Sequence, residues 1–381
     1  MRHLLKGLRR RSRGVLGVAA VCMALTACAK SMDDATPLYS AAECRRASLV
    51  DTRSGASIVG AEDMALDEAR GRLIVSAYDR RAAEKAAARG ADAVPQGGVY
   101  AVALSDLLNA DERQIAARPF FEADAFAGGV RPHGLDFDAA SGEIAFVNRP
   151  YHRDGDRGRW RRSARLERVG VDGATFVGGG APLHCAANDL VVQSGSALVS
   201  HDHGACGWRA GLEDVFGLKR GGIVFAGAPN GSLKEDALVR DIKFANGLTK
   251  LADGALVLAA TRESAVRFFM PTDKGARETG RLSLPGGPDN ISPLADGGFV
   301  AAVHPSLMAI GLARKLGLGR APSRLVRVGA DSKTISLLFD DPKGALFSGA
   351  SVGVTSDDWL VAGSATDAGL LVCQKSGPEK N

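Results

Sequence analysis

A length of 381 residues allows either several ordinary domains or one large all-β domain, and 45% hydrophobic with 24% charged residues is typical of a globular protein. This composition excludes a disordered chain, a collagen and a coiled coil. The 47 glycines exceed the roughly 7% of an average protein and favour many short strands joined by tight turns. The formal charge is +5, but six Lys and Arg precede residue 28 without an acid, so the rest of the chain carries −1 and no nucleic-acid partner is predicted.

The first 27 residues have the pattern of a secretory signal peptide. A basic start runs into the apolar segment 14–27, which is too short to span a bilayer as a mature helix. The segment ends in Leu-Thr-Ala-Cys28, which resembles a bacterial lipobox, whose cysteine is acylated and becomes the new N-terminus. We expect export and lipid anchoring at Cys28 in the outer membrane facing the periplasm, with a linker over 28–43. An ordinary signal peptide cleaved near Ala27 is the alternative.

Four cysteines remain for the folded part, an even number as expected in an oxidising compartment. A bond between Cys44 and Cys373 would tie the first element of the fold to the last, as a closed ring requires. Cys185 and Cys206 flank a predicted hairpin around Gly195, which would bring them nearly opposite each other. Two disulfides are therefore predicted, and four free thiols are the alternative.

Short apolar runs alternate with turn residues from residue 50 onward, and few segments keep a helical period over ten residues. The predicted strands are 72–77, 98–103, 143–148, 190–193, 197–200, 222–226, 255–260, 298–303 and 359–362. Two segments with a helical pattern, 80–89 and 306–315, are expected to form short helices in loops above the strands.

Polar residues recur at the starts of apolar strands. They lie at positions 62, 133, 188, 246 and 290, which are 44 to 71 residues apart, the length of a four-stranded blade with its loops. Six such blades account for the chain, so the predicted fold is all-β: a six-bladed β-propeller over residues 44–375, closed by the terminal disulfide and followed by a tail at 376–381. Inner strands of a propeller surround a channel, so these polar residues should converge on its axis.

The residues at these strand starts carry the ligands of a hard cation. They are Glu62, Asp63, His133, Asn188, Asp189, Asn246, Asp289 and Asn290. Carboxylate and amide oxygens without cysteine suit Ca²⁺ better than Zn²⁺ or Cu²⁺. A single Asn or Asp is usually a turn cap, but recurrence at blade spacing favours a shared site.

Six segments resemble the paraoxonase (serum paraoxonase/arylesterase) family in order and approximate spacing. They are 60–63, 132–134, 187–189, 244–247, 289–292 and 303–305. Cys44 and Cys373 also match that family's ring-closing cysteines, so the resemblance covers about residues 40–375. It implies a six-bladed propeller that holds two calcium ions in its channel and hydrolyses esters.

The resemblance also implies which residues bind the two ions. The exposed, catalytic calcium would be held by Glu62, Asn188, Asn246, Asp289 and Asn290. The deeper, structural calcium would be held by Asp63, Asp189 and the backbone carbonyl of Leu135. The catalytic ion would polarise the carbonyl of a small lactone or aryl ester, with His133 as the base that assists the attacking water.

The pocket implied by the resemblance contains one departure from the family. Phe244, His203 and His304 match pocket-lining positions, but Arg149 stands where the family has a second histidine. An arginine stays protonated and cannot relay a proton from His133. Binding of an anionic substrate or leaving group, and a plain ion pair, are the roles left open for Arg149. The surrounding segment 149–168 holds eight arginines and is predicted to be a solvated hairpin, with a lid or a membrane-docking patch as alternatives.

The leading prediction is therefore a calcium-dependent hydrolase of carboxylic esters, acting on lactones or aryl esters. A sugar lactonase similar to gluconolactonase is one alternative, because it uses similar calcium ligands. A lipid-anchored propeller that binds a ligand or partner and keeps calcium only for stability is the other. The sequence lacks a P-loop, a G-x-S-x-G motif and zinc-type spacing, which argues against nucleotide hydrolysis, serine esterase and zinc hydrolase chemistry.

Overall fold

The computed structural model describes residues 32, 35–154, 158–172, 176–193, 196–226, 236–273 and 275–375. The predicted signal peptide, the lipidation site Cys28 and the tail 376–381 lie outside the described residues. Among the described residues, no helix has the length and apolar character needed to cross a membrane.

The described part of the chain is built mainly from short strands. In chain order they are β1 (Cys44–Asp51), β2 (Ala61–Asp67), β3 (Arg72–Ala77), β4 (Gly98–Ala103), β5 (Gln114–Pro119), β6 (Pro132–Asp138), β7 (Glu143–Asn148), β8 (Tyr151–Asp154), β9 (Arg159–Arg162), β10 (Ala164–Gly170), β11 (Phe176–Leu183), β12 (Ala187–Gln193), β13 (Ser196–His201), β14 (Gly221–Ala226), β15 (Asp236–Ile242), β16 (Ala245–Lys250), β17 (Leu256–Ala260), β18 (Ala265–Thr272), β19 (Gly275–Ser283), β20 (Gly287–Pro293), β21 (Phe299–His304), β22 (Ser323–Val328), β23 (Ile335–Asp341), β24 (Ala350–Thr355), β25 (Trp359–Ser364) and β26 (Leu370–Gln374).

The strands form small sheets arranged as a ring. Four sheets have four strands each, in the orders β6-β7-β10-β11, β12-β13-β14-β15, β16-β17-β18-β19 and β20-β21-β22-β23, while β8 and β9 pair only with each other. An eight-stranded sheet, β2-β3-β4-β5-β1-β26-β25-β24, joins the first and last parts of the chain. The strands β2, β6, β12, β16, β20 and β24 contact one another in a closed cycle. The prediction of an all-β, propeller-like fold is confirmed.

The N-terminal strand closes this ring. Strand β1 pairs antiparallel with β26 and parallel with β5, so it completes the last group of strands and meets the first. Cys44 lies opposite Cys373 in this pairing, and the two form the predicted disulfide, with Cα atoms 3.9 Å apart. The second predicted disulfide, Cys185–Cys206, is also present, with Cα atoms 5.9 Å apart.

The apolar core lies between neighbouring sheets. Strands β17 and β21 are buried along their whole lengths, which explains why both read as continuous apolar runs rather than alternating patterns. Val257, Phe268 and Phe299 from two adjacent sheets belong to one such buried cluster. Each fully buried side chain of this size contributes about 1.5–3 kcal/mol. Packing of this kind between every pair of sheets holds the inner strands at fixed positions around the axis.

Helices lie in the loops that connect these strands. They are α1 (Arg80–Ala88), α2 (Leu104–Leu108), α3 (Trp208–Phe216) and α4 (Leu307–Leu316), with short 3₁₀ helices at Ala41–Glu43, Glu68–Arg70, Ala123–Ala125 and Thr261–Glu263. The predicted helices 80–89 and 306–315 are confirmed as α1 and α4. Asp79 and Ser306 cap their N-termini by accepting from the backbone N–H three residues on. Helix α3 was not predicted, because residues 208–216 have a short pattern and lie between glycines.

Candidate functional site

The six strands of the closed cycle, which we call the inner strands, are each irregular near their starts. The pairing register shifts between Ala61 and Asp63, Pro132 and Leu135, Ala187 and Leu190, Ala245 and Leu248, Pro288 and Ile291, and Ala350 and Val352. A bulge changes the direction in which the residues within it point. The predicted polar residues lie at the first five of these bulges and therefore leave the normal alternation of their strands, while the sixth bulge holds Ser351.

Two glycines allow the inner strands to approach one another at these bulges. A Cβ atom on Gly134 would lie 2.4 Å from the Cα of Asp189 in the next sheet. A Cβ atom on Gly247 would lie 2.4 Å from the carbonyl oxygen of Asp289. Each glycine follows a predicted site residue, so the absence of a side chain brings neighbouring site residues together.

The structure gathers most of the predicted site residues around one cavity of about 1340 Å³. Those that line it are Glu62, His133, Arg149, Asn188, His203, Phe244, Asn246, Asp289 and His304. The predicted ligands Asp63, Leu135, Asp189 and Asn290 are buried beside the same bulges and are not among the lining residues. Asn290 thus lies with the buried residues, although it was predicted as a ligand of the exposed ion.

Three buried amide oxygens in this site have no hydrogen-bond partner in the described part of the chain. They are Oδ1 of Asn188, Asn246 and Asn290, whereas the buried Oε2 of Glu62 lies 2.5 Å from Nδ1 of His133. The amide Nδ2 atoms of the three asparagines donate to carboxylate or carbonyl oxygens at 3.1, 2.5 and 2.9 Å, which fixes the orientation of each amide. A buried, unsatisfied acceptor costs about 1–3 kcal/mol. The site therefore holds three oxygens, one each from β12, β16 and β20, that lack the partner a cation would supply.

This donor set fits a calcium ion. All three unsatisfied atoms are amide oxygens, and Glu62 and Asp289 add carboxylates; both groups are ligands that Ca²⁺ takes in proteins. Asp289 differs, since its Oδ1 accepts from Asn246 and its Oδ2 lies 2.8 Å from Nε2 of His304. Each of these carboxylate oxygens keeps a second lone pair, so Asp289 could also bind a cation.

Asp63 and Asp189 connect neighbouring inner strands in the deeper part of the site. Oδ2 of Asp63 accepts from the backbone N–H of Leu135 at 2.8 Å, and Oδ2 of Asp189 accepts from that of Leu248 at 2.7 Å. Burial raises the pKa of both carboxyls, and repulsion from neighbouring carboxylates, including Glu62, raises it further. A bound cation would relieve that repulsion. The contact seen at Leu135 involves its N–H, whereas the predicted ligand is its carbonyl oxygen.

His133 lies between an acidic and a basic group. Its Nδ1 atom is 2.7 Å from Nη2 of Arg80 and 2.5 Å from Oε2 of Glu62, and Nη2 of Arg80 is 3.5 Å from Oε1 of Glu62. Burial, then the positive charge of Arg149, lowers the pKa of His133 to about 3, so the imidazole is neutral near neutral pH. Burial opposes ionisation of Glu62, but the charges around it lower its pKa to about 2. Arg80 was not predicted as a site residue, because it begins a helix in a loop and does not lie at the strand starts where the other polar residues recur.

The two predicted pocket histidines have different surroundings. Both ring nitrogens of His203 contact carboxylates, at 2.7 Å from Asp202 and 3.1 Å from Asp214. Burial opposes protonation of His203, but these two contacts outweigh it and raise its pKa to about 9. In contrast, His304 has only Nε2 engaged, with Asp289, while its buried Nδ1 has no partner among the described residues. His203 is therefore held as a cation, and His304 keeps a ring nitrogen available.

Phe244 forms part of the same wall in a strained backbone conformation. Its φ angle is 60°, in the left-handed region that bulky residues rarely adopt, and its ring contacts that of His203 edge-on at 5.1 Å. Such a conformation costs on the order of 1–3 kcal/mol. The strain coincides with the start of β16, where the backbone must bring Asn246 into the channel.

Hydroxyl groups that the sequence did not reveal hold the backbone of the site residues. The hydroxyl of Ser76 donates to the carbonyl of His133 at 2.5 Å, and that of Ser200 donates to the carbonyl of Asn246 at 2.6 Å. The hydroxyl of Ser351 donates to the carbonyl of Glu62 at 2.8 Å, and that of Thr261 donates to the carbonyl of Pro288 at 2.7 Å. Only their positions in three dimensions distinguish these residues from other buried serines and threonines.

The arginine-rich segment forms a hairpin, as predicted, and it borders the cavity. Strands β8 and β9 pair with each other, and Trp160, Arg161 and Arg162 line the cavity. Nε1 of Trp160 donates to the carbonyl of Ala91 at 2.7 Å, which fixes the hairpin against the loop after α1. His152 is exposed and contacts Ser163, so it does not take the place of the missing second histidine.

Comparison with known proteins identifies the architecture. No protein-family model matches the chain, and no curated protein gives a significant sequence match. A solved structure provisionally assigned as a gluconolactonase superposes with a TM-score of 0.50 at 16% identity, covering 91% of this chain and 97% of that one. A gluconolactonase from Xanthomonas campestris gives 0.44 at 15% identity, with 84% and 90% covered. A virginiamycin B lyase from Staphylococcus aureus gives 0.45 at 11% identity, with 87% and 100% covered. At these identities the first likeness supports a gluconolactonase-like propeller fold and no activity.

Proposed function

We propose that this protein is a calcium-dependent hydrolase of carboxylic esters, built on a six-bladed β-propeller closed by the Cys44–Cys373 disulfide. The observation that carries the proposal is the set of three buried, unsatisfied amide oxygens beside one large cavity. A fold can host many functions, so the argument rests on this site and not on the architecture. The resemblance of the same residues to the paraoxonase family supports lactones and aryl esters as the substrate class.

The resemblance to the paraoxonase family gives the proposed ligands of the two ions, and the unpartnered amide oxygens of Asn188, Asn246 and Asn290 support them. Glu62, Asn188, Asn246, Asp289 and Asn290 would hold the ion at the cavity, and Asp63, Asp189 and the carbonyl of Leu135 would hold the deeper one. When bound at the cavity, calcium would polarise an ester carbonyl and stabilise the negative charge that develops on its oxygen.

The remaining residues of the site would bind the substrate and move protons. His133 is proposed as the base because it is neutral near neutral pH and lies beside Glu62. Its lowered pKa makes it a weak base, since a base acts best when its pKa lies near the working pH. His304 is the second candidate, because Asp289 orients its ring through Nε2 and its Nδ1 is unpartnered in the described structure. His133→Gln and His304→Gln distinguish them: the substitution that abolishes the fall in rate at low pH, where a base is protonated, identifies the base.

The proposal is tested by removing single ligands. Glu62→Gln and Asn246→Ala should each lower kcat/KM for a lactone by at least about 100-fold, because a ligand of the ion that stabilises the transition-state charge is lost. Circular dichroism should show that both variants keep their strand content. Full activity in either variant would rule out the ligand assignment.

A non-catalytic function is the second candidate. The contact of His133 with Arg80, and Arg149 in place of a second histidine, favour a calcium-stabilised propeller that binds a ligand without hydrolysing it. Calcium-dependent melting without turnover on aryl esters, homoserine lactones or gluconolactone would establish it. Turnover on gluconolactone alone would establish the sugar lactonase.

We also propose that the protein is exported and anchored by lipid at Cys28. The two disulfides support an oxidising compartment, where such bonds persist. Fractionation of cells that express the wild-type chain or Cys28→Ala tests the anchor. The variant should leave the membrane fraction, and equal partition of both proteins would exclude an anchor at Cys28.

A further inference from the structure

We propose that the substrate of this site carries a carboxylate, which Arg149 binds while the ester group lies at the metal site. The inference rests on the proposed function for the reaction itself, and it adds the chemical class of the substrate. The resemblance offers no such preference, because the family has a histidine at this position.

Arg149 is a buried cation without an anionic partner. Its side chain lines the cavity at 4% exposure, and its Nη2 donates to the carbonyl of Ala187 at 2.8 Å. Its Nε has no hydrogen-bond partner, and within the described ranges no carboxylate lies within ion-pairing distance of its guanidinium. A buried charge left without a partner is strongly unfavourable. An anionic group on a ligand would supply that partner.

The acidic residues of the cavity are already engaged elsewhere. Asp202 contacts His203, and Asp214 contacts both His203 and Arg262 at 3.1 and 2.9 Å. Glu84 contacts two other arginines, at 3.9 Å from Arg162 and 4.0 Å from Arg314. None of these acids forms an ion pair with Arg149 within the described ranges; Asp202 acts on its charge through space while it pairs with His203.

Calcium would increase the excess of positive charge. Two ions would neutralise the four carboxylates of the proposed ligand set, Glu62, Asp63, Asp189 and Asp289. The guanidiniums of Arg80 and Arg149 would then remain at the base of the cavity without counter-charge. Arg149 presents a planar group of N–H donors, which matches the geometry of a carboxylate. The loaded site should thus prefer an anionic ester to a neutral ester of the same shape.

A pair of esters that differ only in charge tests the preference. Phenyl hydrogen succinate and phenyl methyl succinate both release phenol, and only the first carries a carboxylate. The wild-type protein with calcium should favour the anionic ester in kcat/KM by about 10- to 100-fold, the range expected for a hydrogen bond to a charged group. Arg149→Gln should remove this preference, and Arg149→Lys should retain part of it because the charge remains without the planar fork.

Arg161→Gln is the matched control. It removes the same charge from the cavity rim, where the side chain is 73% exposed and pairs with Asp154 at 2.6 Å. Because exposed charges interact weakly through water, this variant should keep the wild-type preference within about threefold. A loss of preference equal to that of Arg149→Gln would show that general charge, and not Arg149, attracts the anion, and would overturn the inference.

A binding measurement separates this inference from the proposed function. N-phenylsuccinamic acid and its primary amide contain no ester and resist hydrolysis, and thermal shift or calorimetry reports their affinities. The acid should bind the wild-type protein at least about 10-fold more tightly than the neutral primary amide, and the difference should vanish in Arg149→Gln. Hydrolysis of both esters without any charge preference would overturn the inference and leave the hydrolase intact. Tight binding of the acid through Arg149 without turnover would support the anion site and reject the hydrolase.

Discussion

Replacing Asn188 by alanine tests whether its buried amide oxygen is a calcium ligand. Without calcium, the substitution removes an acceptor that has no partner in the described structure and also removes the 3.1 Å bond from Nδ2 to Asp202. The first change relieves a cost of about 1–3 kcal/mol and the second loses a bond of similar worth. We therefore expect the calcium-free free energy of unfolding to change by less than about 1 kcal/mol.

The stabilisation by calcium should differ much more between the wild-type protein and Asn188→Ala than the calcium-free stability does. Calcium at about 100 times its Kd stabilises the wild-type protein by about 2.7 kcal/mol, and a 100-fold loss of affinity leaves about 0.4 kcal/mol. An unfolding entropy of about 2.1 cal/mol/K per residue over roughly 330 residues converts 1 kcal/mol into about 1.4 °C. Calcium at the cavity site should thus contribute about 4 °C to the calcium-induced rise in Tm of the wild-type protein and less than about 1 °C to that of Asn188→Ala, while the contribution of the deeper ion is the same in both proteins.

Asn148 provides a matched control within the same chain. It is fully buried, but its Oδ1 accepts from the N–H of Arg131 at 2.8 Å and its Nδ2 donates to Gly129 at 3.2 Å. Asn148→Ala should lose about 1–3 kcal/mol with or without calcium and keep the full calcium shift. Calorimetry in a calcium chelator and in excess calcium measures both quantities. A full calcium shift in Asn188→Ala, or its loss in Asn148→Ala, would refute the reasoning.

Three further predictions follow from the closure, the electrostatics and the strand spacing. Replacing Cys44 and Cys373 by serine removes a crosslink over a separation of 329 residues, so the free energy of unfolding should fall by about 6 kcal/mol. This loss is roughly 2 kcal/mol larger than that expected for replacing Cys185 and Cys206, and denaturant unfolding of the two variants measures the difference. Burial opposes protonation of His203, but its contacts with Asp202 and Asp214 raise its pKa to about 9. The stability that protonated His203 gives the folded protein is therefore complete below about pH 6.5 and is lost as the pH rises towards 9. Urea unfolding of His203→Gln should therefore show a stability gap from wild type at about pH 6 that shrinks by about pH 9.5, and a wider gap at high pH would contradict this. Gly134→Ala would place a Cβ atom 2.4 Å from the Cα of Asp189, and we expect a loss of about 1–3 kcal/mol with weaker calcium binding, measured by thermal melting and calorimetry.

Several strands next to the inner ones, and the ring closure, were accessible from the sequence because they follow local rules. Predicted strands 72–77, 98–103 and 143–148 coincide with β3, β4 and β7, since apolar runs between turn residues mark both ends. The repeated polar residue at the start of five inner strands indicated the level of the channel at which the bulges lie. The cysteines at the two ends of the domain identified the closure.

Other parts of the site depend on tertiary contacts that no local pattern encodes. Arg80 reaches Glu62 and His133 from a loop helix, and its sequence neighbours indicate only a helix. The orientation of each buried amide depends on partners in neighbouring sheets, such as Nδ2 of Asn290 with the carbonyl of Glu62, 228 residues away. Sequence could therefore indicate which residues meet, but not which of their oxygens would lack a partner.

Hydrolysis of a lactone and aryl-ester panel by the purified full-length protein tests the central claim most directly. The rates would be measured with excess calcium, after chelation and after calcium is restored. The account predicts turnover that disappears on chelation and returns with calcium, because the three unsatisfied amide oxygens would regain their cation. Turnover that persists in chelator, or no turnover on any member of the panel with calcium bound, would contradict it.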